Sequence, residues 1–400
     1  VTSRTATSRT ILVNGMRDRG TLTDPGWLRA FSDVPRELFV PYFFVPNRGA
    51  PGWRIVEKDI GKNTEWLDGI YADDALVTQL GGNDAAVEAA RRGERVTGTP
   101  TSSSSAPSLM AEMLHALELG DNSSEQTNVL ELGIGAGYNA ALLCHRLGPD
   151  RVTSVEVDPL IAARARTALA SAGYHPAVVT GDGTRGHPSG APYHRVIATV
   201  ALPRVPPALL AQAIPGALLL LPLVFAGSGG LMALLRCTGP DRASGPILPH
   251  YGGFMASRDH AEVSAPVVGP LSLAKARPVR LPVEALAGDT HPSSFYLSLR
   301  CRTRYRTLGF TPSDDSTGPQ LWGCGADGST FTVVSAPEEL RAKPRVVSCG
   351  PLWNALESAY QDWLDLGRPA RDRFGVEVAG CQSWVWRDTP DQVVREVEEA

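Results

Sequence analysis

Three short stretches set glycines and carboxylates where a parallel α/β sheet would offer them to a ligand. Val129-Leu130-Glu131-Leu132 reads as an apolar strand, and Gly133, Gly135 and Gly137 follow at alternate positions before Tyr138 and a helix. Glycine accepts positive φ and lets a ligand approach the main chain. Such a turn belongs at the carboxyl edge of the sheet, where open α/β folds bind ligands. The spacing is G-x-G-x-G, not the G-x-G-x-x-G of dinucleotide folds, and no P-loop Lys-Ser/Thr follows. Glu131, just ahead of the glycines, would repel a pyrophosphate but suits a cationic methionyl group. Glu156 closes a second strand about 20 residues past the glycines, where a carboxylate can accept from both ribose hydroxyls; Val157 follows it. Gly181-Asp182-Gly183 follows a third strand, and Asp182 can accept from an adenine amino group. Alone, the glycine run would pass for turns of an α/β core. With acidic tips on successive strands it describes a site for S-adenosylmethionine (SAM). The expected cofactor contacts are Glu131, Gly133, Gly135, Gly137, Tyr138, Glu156, Val157, Asp182 and Gly183.

The elements that must hold these residues alternate strand and helix. Helices are expected over Pro107–Leu119, Asn139–Arg146 and Leu160–Ala172, and strands over Val129–Leu132, Arg151–Val157, Ala177–Thr180, Arg195–Val200 and Ala217–Leu221. Over roughly 120 residues that alternation implies a doubly wound parallel sheet covered on both faces. Residues 1–20 are polar and Arg-rich and are expected to be loosely held; Asp24-Pro25 starts a helix. Residues 36–100 mix aromatics with turn residues, and 83–94 suggests a surface helix. Residues 238–292 carry eight prolines and read as irregular chain. Beyond them Phe295, Leu297 and Leu299 alternate with polar residues as in a strand, and Asp327-Gly328 marks a hairpin turn. Trp353, Leu356, Tyr360 and Trp363 stripe a helix, and Val376, Val378, Trp384 and Trp386 suggest a last hairpin. Five of the eight tryptophans lie past residue 320, enough for a small α+β core of its own. The expected organisation is a 1–100 N-terminal helical or irregular extension covering the active site, a 101–237 cofactor-binding core, a 238–292 Pro-rich connection, and a 293–400 α+β domain.

Charge and composition exclude several functions. Lys+Arg 38 against Asp+Glu 42 leaves −4, with no excess of positive charge for nucleic acid or an anionic membrane. No apolar stretch approaches the roughly 20 residues that span a bilayer. No secretory leader is visible behind Arg4 and Arg9. Six cysteines without a CxxC pair, and eight histidines without HxxxH, make a metal site unexpected and suggest reduced thiols in a cytoplasmic protein.

The sequence resembles the protein-L-isoaspartate O-methyltransferase family over about residues 33–225. The resemblance is carried by Asp33-Val34-Pro35-Arg36-Glu37-Leu38-Phe39-Val40-Pro41, Tyr71-Ala72-Asp73, Ser105-Ala106-Pro107, Val129 to Leu142, Gly181-Asp182-Gly183, Ala191-Pro192-Tyr193 and Pro215-Gly216-Ala217. It implies a class I SAM-dependent methyltransferase with a Rossmann-like sheet and S-adenosyl-L-homocysteine as by-product. It also implies that Ser103, Ser104 and Ser105 line the methyl-acceptor pocket, with Ser105 essential and Tyr71, Asp73 and His194 as further substrate contacts. A hydroxyl suits the task. An aspartyl-type carboxylate is already ionised at neutral pH, so it needs orientation rather than a base. Two departures stand out. His194 replaces the Asp usual after Pro-Tyr, and the chain continues some 175 residues past 225, where repair enzymes of the family stop.

That extension, ending Gly367-Arg368-Pro369 … Arg373-Phe374-Gly375 … Val385-Trp386, resembles an actinobacterial subgroup accompanying ribosomally made modified peptides such as lanthipeptides and graspetides. The resemblance implies methylation of an aspartate in a modified precursor peptide. The following amide nitrogen then displaces the ester, giving a succinimide (aspartimide) that can open to isoaspartate. The alternatives are a repair enzyme acting on an isoaspartyl-containing protein, and a non-catalytic peptide-binding protein with a vestigial SAM fold.

Overall fold

The computed structural model describes residues 2–47, 51–58, 64–120, 127–226, 230–257, 276–286, 291–303, 305–311, 320–334 and 344–397. The chain divides into two compact units. One comprises Val1–Val200, Pro206–Leu220 and Arg236–Pro240; the other comprises Ala201–Val205, Leu221–Leu235 and Asp241–Ala400.

The first unit opens with α1 (Thr2–Asp18) and α2 (Pro25–Asp33). The stretch expected to be loose is thus a helix, tied down by long basic side chains. Arg9 donates to Ser32 O at 3.0 Å and to the Tyr71 hydroxyl at 3.1 Å. In α2, Asp24 Oδ1 accepts from Trp27 N at 2.8 Å and Pro25 occupies the first helical position, a cap worth about 1 kcal/mol. Then follow β1 (Tyr42–Pro46), β2 (Trp53–Glu57), α3 (Thr64–Ile70), β3 (Leu76–Leu80), α4 (Ala85–Arg91) and β4 (Pro100–Ser104). The four strands form an antiparallel sheet in the order β2-β1-β3-β4. This sheet was not legible in the sequence, because Tyr42, Phe43 and Phe44 are all buried and show no alternation. Ser103 and Ser104 accordingly lie on the edge strand β4, with Ser105 just past its end.

After α5 (Pro107–Ala116) come β5 (Val129–Leu132), α6 (Tyr138–Leu147), β6 (Val152–Glu156), α7 (Pro159–Ser171), β7 (Ala177–Thr180), β8 (Tyr193–Ala198), α8 (Pro207–Ala211) and β9 (Ala213–Val224). Parallel pairing runs β9-β8-β5-β6-β7, with Leu132 level with Val155 and Ala198. This is the doubly wound sheet expected of class I methyltransferases. All of β5 is buried, as a strand covered on both faces must be. Asp158 caps α7, accepting from Leu160 N at 2.8 Å.

The chain enters the second unit along β9 and continues through β10 (Gly230–Gly239) and β11 (Arg242–Tyr251). Part of the stretch expected as an irregular connection is therefore strand; 258–275 and 287–290 lie outside the described residues. Next come β12 (Arg277–Pro278), α9 (Ser294–Arg300), β13 (Tyr305–Thr311), β14 (Gln320–Gly325), β15 (Thr330–Val334), β16 (Arg345–Cys349), α10 (Leu352–Asp365), β17 (Phe374–Ala379), β18 (Gln382–Arg387) and β19 (Thr389–Val397). One antiparallel array runs β11-β17-β18-β19 and a second sheet runs β12-β16-β15-β14-β13. The second core gathers Phe331, Val333, Trp353 and Leu356. The expected strand at Phe295–Leu299 is the helix α9. Residues 294–299 are buried all round, so their alternation carried no information about a solvent face.

Candidate active site

The glycine turn after β5 has the backbone its sequence demands. Gly133, Gly135 and Gly137 have φ of 82, 51 and 88°, values a Cβ disfavours. Gly133 N donates to Val155 O at 2.8 Å and Gly137 N to Ile134 O at 2.9 Å. Thr199, at the carboxyl end of β8, donates its hydroxyl to Gly133 O. Three strand ends thus fix the turn.

Glu156 joins the turn to the next strand. Its Oε2 accepts from Gly135 N at 3.2 Å and its Oε1 from Asp158 N at 3.0 Å. Each carboxylate oxygen keeps lone-pair capacity for a further donor. Val157 beside it is 47% exposed, an apolar shelf at the strand end. Asp182 opens the turn after β7, where Oδ1 accepts from Thr184 N at 2.9 Å. A Cβ on Gly183 would meet Leu132 Cγ at 3.3 Å, so the second glycine lets this turn close on β5. The glycine cradle, Glu156, Val157 and Asp182 converge at one sheet edge, and the donor and acceptor types fit a nucleoside linked to a cationic chain.

The serine strand β4 lies against that cradle. A Cβ on Gly135 would sit 3.0 Å from Ser103 O and 3.9 Å from Ser102 Oγ. Ser105 is two residues further, about 7 Å along an extended chain. Ser104 Oγ accepts from Arg36 at 3.3 Å. Gln79 of β3 bonds Thr101 on one side (2.8 Å) and Asp158 on the other (3.1 Å), so the inserted sheet is tied to the cap beside Glu156. A cavity of about 420 Å³ opens on the α7 side of the turn, lined by Gly135, Ala136, Ser102, Gln79, Phe39 and Arg164. Ser105, Glu156 and Asp182 do not line it.

Several expected contacts are held elsewhere. Glu131 is fully buried. Its Oε1 accepts from Asn139 Nδ2 at 2.7 Å and its Oε2 from the Ser154 hydroxyl. Burial raises its pKa to about 7. It braces the turn from inside the core rather than facing a ligand. The Tyr138 ring packs on Phe31 and Phe39, with centroids 6.1 and 5.8 Å away, so only its main chain faces the turn. Asp73 caps α5, accepting from Ser108 N at 2.8 Å and pairing with Arg19. Tyr71 donates to Glu37. Asp73 thus anchors the start of α5, and Tyr71 is held by Glu37 and Arg9. His194 stands at the opposite edge of the sheet. Its Nδ1 accepts from Asn128 N at 3.1 Å at the start of β8, the amino edge of the sheet, some 16 Å along the strand from Thr199. The site also contains Arg36, Gln79, Asn139, Ser154 and Thr199, which the sequence reading did not assign. Arg36 was signalled only as a member of the Asp33–Pro41 run; the others carry no local pattern.

Among the described residues no cluster of three or more metal-ligating side chains occurs, and no helix is long and apolar enough to cross a membrane.

The family described as Protein-L-isoaspartate(D-aspartate) O-methyltransferase matches residues 94–236. A protein-L-isoaspartate O-methyltransferase 1 from Anaeromyxobacter sp. (strain Fw109-5) is 34% identical over 218 residues, covering 54% of this chain and 77% of its own. A protein-L-isoaspartate O-methyltransferase from Ignicoccus hospitalis is 42% identical over 123 residues, covering 30% of this chain. The matched stretch spans 56% of that relative's own length. Among solved structures, a protein-L-isoaspartate O-methyltransferase superposes with a TM-score of 0.49 at 19% identity, covering 95% of this chain and 100% of its own. A Plasmodium falciparum protein of the same description, in complex with S-adenosyl-L-homocysteine, gives 0.41 at 11% identity over 58% of this chain and 91% of its own.

Proposed function

Because this chain belongs to the protein-L-isoaspartate O-methyltransferase family, we propose that it is a SAM-dependent O-methyltransferase acting on an isoaspartyl or aspartyl side-chain carboxylate of a protein or peptide. The observation that carries the reading is the seating of Ser103 O against Gly135, whose N–H is bound by Glu156. It brings the acceptor-side serines and the cofactor-side carboxylate onto one glycine.

When bound, SAM supplies an electrophilic methyl group and leaves as S-adenosyl-L-homocysteine. Glu156 would hold the ribose hydroxyls, and Val157 and Asp182 would receive the adenine. The glycines let the main chain approach. On the other side the Ser105 hydroxyl donates to the acceptor carboxylate without neutralising it. That carboxylate is ionised at neutral pH, so the protein need only orient it, an effect worth roughly 7–11 kcal/mol when alignment is good. The N-terminal sheet covers the acceptor side.

The substrate is an isoaspartyl-containing protein or peptide. A narrower reading, methylation of an aspartate in a modified precursor peptide with succinimide as product, is favoured by one feature: the second unit, which extends beyond the matched family region and could hold a peptide. The test offers isotopically labelled SAM with either an unstructured isoaspartyl peptide or a cyclised aspartyl peptide. Turnover of the first supports the repair reading, turnover of only the second supports the narrower one, and methylation of neither defeats the proposal.

A further inference from the structure

Behind the serine strand lies a buried cation. Arg36 is wholly inaccessible to solvent. Among the described residues no carboxylate stands within ion-pair distance of it. Its guanidinium donates to main-chain oxygens from two segments, 70–74 and 104–105. Nη1 reaches Ile70 O at 2.8 Å and Ala72 O at 3.2 Å. Nη2 reaches Asp74 O at 3.1 Å, Ser104 O at 3.4 Å and Ser105 O at 3.1 Å. Nε has no partner, and the Tyr138 ring centroid lies 5.8 Å away. Burial lowers its pKa only to about 10, so the group stays charged at neutral pH. A buried charge without a counter-ion is costly, and an apolar residue of similar volume would avoid that cost.

The directions of the carbonyls give the cation a task. Ser103 O faces Gly135. Successive carbonyls of an extended strand point opposite ways, and Ser104 O indeed turns to Arg36. In a planar trans peptide the N–H lies opposite the C=O. The Ser105 N–H therefore points to the glycine-turn side, together with Ser103 O.

Resting on the carboxyl-methylation reading above, we infer that Arg36 is a positioning residue for the methyl acceptor. It pins the Ser104–Ser105 peptide so that the Ser105 N–H and hydroxyl receive the carboxylate, and its charge, held by carbonyls rather than by a contact ion pair, draws that carboxylate in. The two effects separate by substitution. Arg36→Met removes both charge and donors. Arg36→Lys keeps the charge but loses the planar fork.

The experiment measures SAM affinity by calorimetry, steady-state kinetics on an isoaspartyl peptide, and amide hydrogen exchange at residues 103–106. For Arg36→Met the expected result is SAM affinity within about threefold of the parent and kcat/KM lower by about a hundredfold, through both KM and kcat. Arg36→Lys is expected to keep KM near the parent value while kcat falls about tenfold. Exchange at Ser104–Ala106 should quicken about tenfold in both, with Val129–Leu132 unchanged. Parent-like kinetics and exchange in both variants overturn the inference. So does a parallel loss of SAM affinity and turnover in Arg36→Lys, which would make the residue merely structural. If Arg36→Met does not fold, Arg36→Lys decides alone. If the parent methylates no carboxylate peptide, the function reading fails by itself; the exchange measurement still decides whether Arg36 holds the serine strand.

Discussion

The main-chain N–H of Gly135 donates to the side chain of Glu156 at 3.2 Å. One bond thereby fixes the glycine turn to the carboxylate proposed to hold the cofactor. Ser103 O closes on the same glycine from the other side, so displacement of Gly135 disturbs the proposed donor and acceptor sites together.

Substitution of Gly135 tests that coupling. In Gly135→Ala the new Cβ would stand 3.0 Å from Ser103 O, at φ of 51°. The left-handed conformation alone costs about 1–2 kcal/mol. Calorimetry should show SAM affinity down tenfold or more, and acceptor turnover should fall further. Unchanged SAM binding would separate the turn from the cofactor.

Ser105→Ala should leave SAM affinity within about threefold and lower carboxyl methylation by about a hundredfold or more. The residue lies two positions past Ser103, which is seated on the cradle, so the expected loss is on the acceptor side. Retained turnover in a methyl-transfer assay would remove Ser105 from its assigned role.

Glu131 makes stability depend on pH. Burial raises its pKa from 4.5 to about 7 in the folded protein. The folded state therefore holds a proton that the unfolded chain has released. That stabilising term is complete below pH 4.5 and is lost as pH rises through 7, to a total of about 3 kcal/mol. Glu131→Gln should lack this slope. Its Tm should exceed the parent's at pH 8.5 and approach it at pH 5.5, measured by thermal melts. Parallel melts at both pH values would show that Glu131 titrates as an ordinary carboxylate.

Trp353 is fully buried, with its ring centroid 5.1 Å from that of Phe331. Trp353→Ala should cost about 3–5 kcal/mol. Hydrogen exchange should report the loss in β14, β15 and α10, with protection in β5 and β6 retained. Equal loss in both groups of strands would mean that the units unfold as one.

The sequence revealed the parallel sheet because its strands are short apolar runs bounded by glycine and acidic tips. Val129–Leu132 and Ala177–Thr180 occupy the expected residues. The N-terminal sheet and α9 were hidden for one shared reason: Tyr42–Phe44 and Ser294–Leu299 are buried on every side, and period reports only a solvent boundary. Glu131 and His194 misled differently. Each is a chemically suggestive side chain at a strand end, and sequence does not say which way it faces or, for His194, which end of the sheet it occupies. Arg36 and Gln79 were missed because their partners are distant in sequence: Ser105 lies 69 residues from Arg36, and Asp158 lies 79 from Gln79.

The segment 94–236 that matches the family contains every strand of the parallel sheet, yet β4 reaches outside it for its neighbour β3 and for Arg36. A fragment trimmed to that segment would keep a nucleoside shelf but lose the scaffold that gives the serines their direction. A single cut near residue 94 would part β4 from β3 and Arg36 while leaving the glycine turn, Glu156 and Asp182 on one piece.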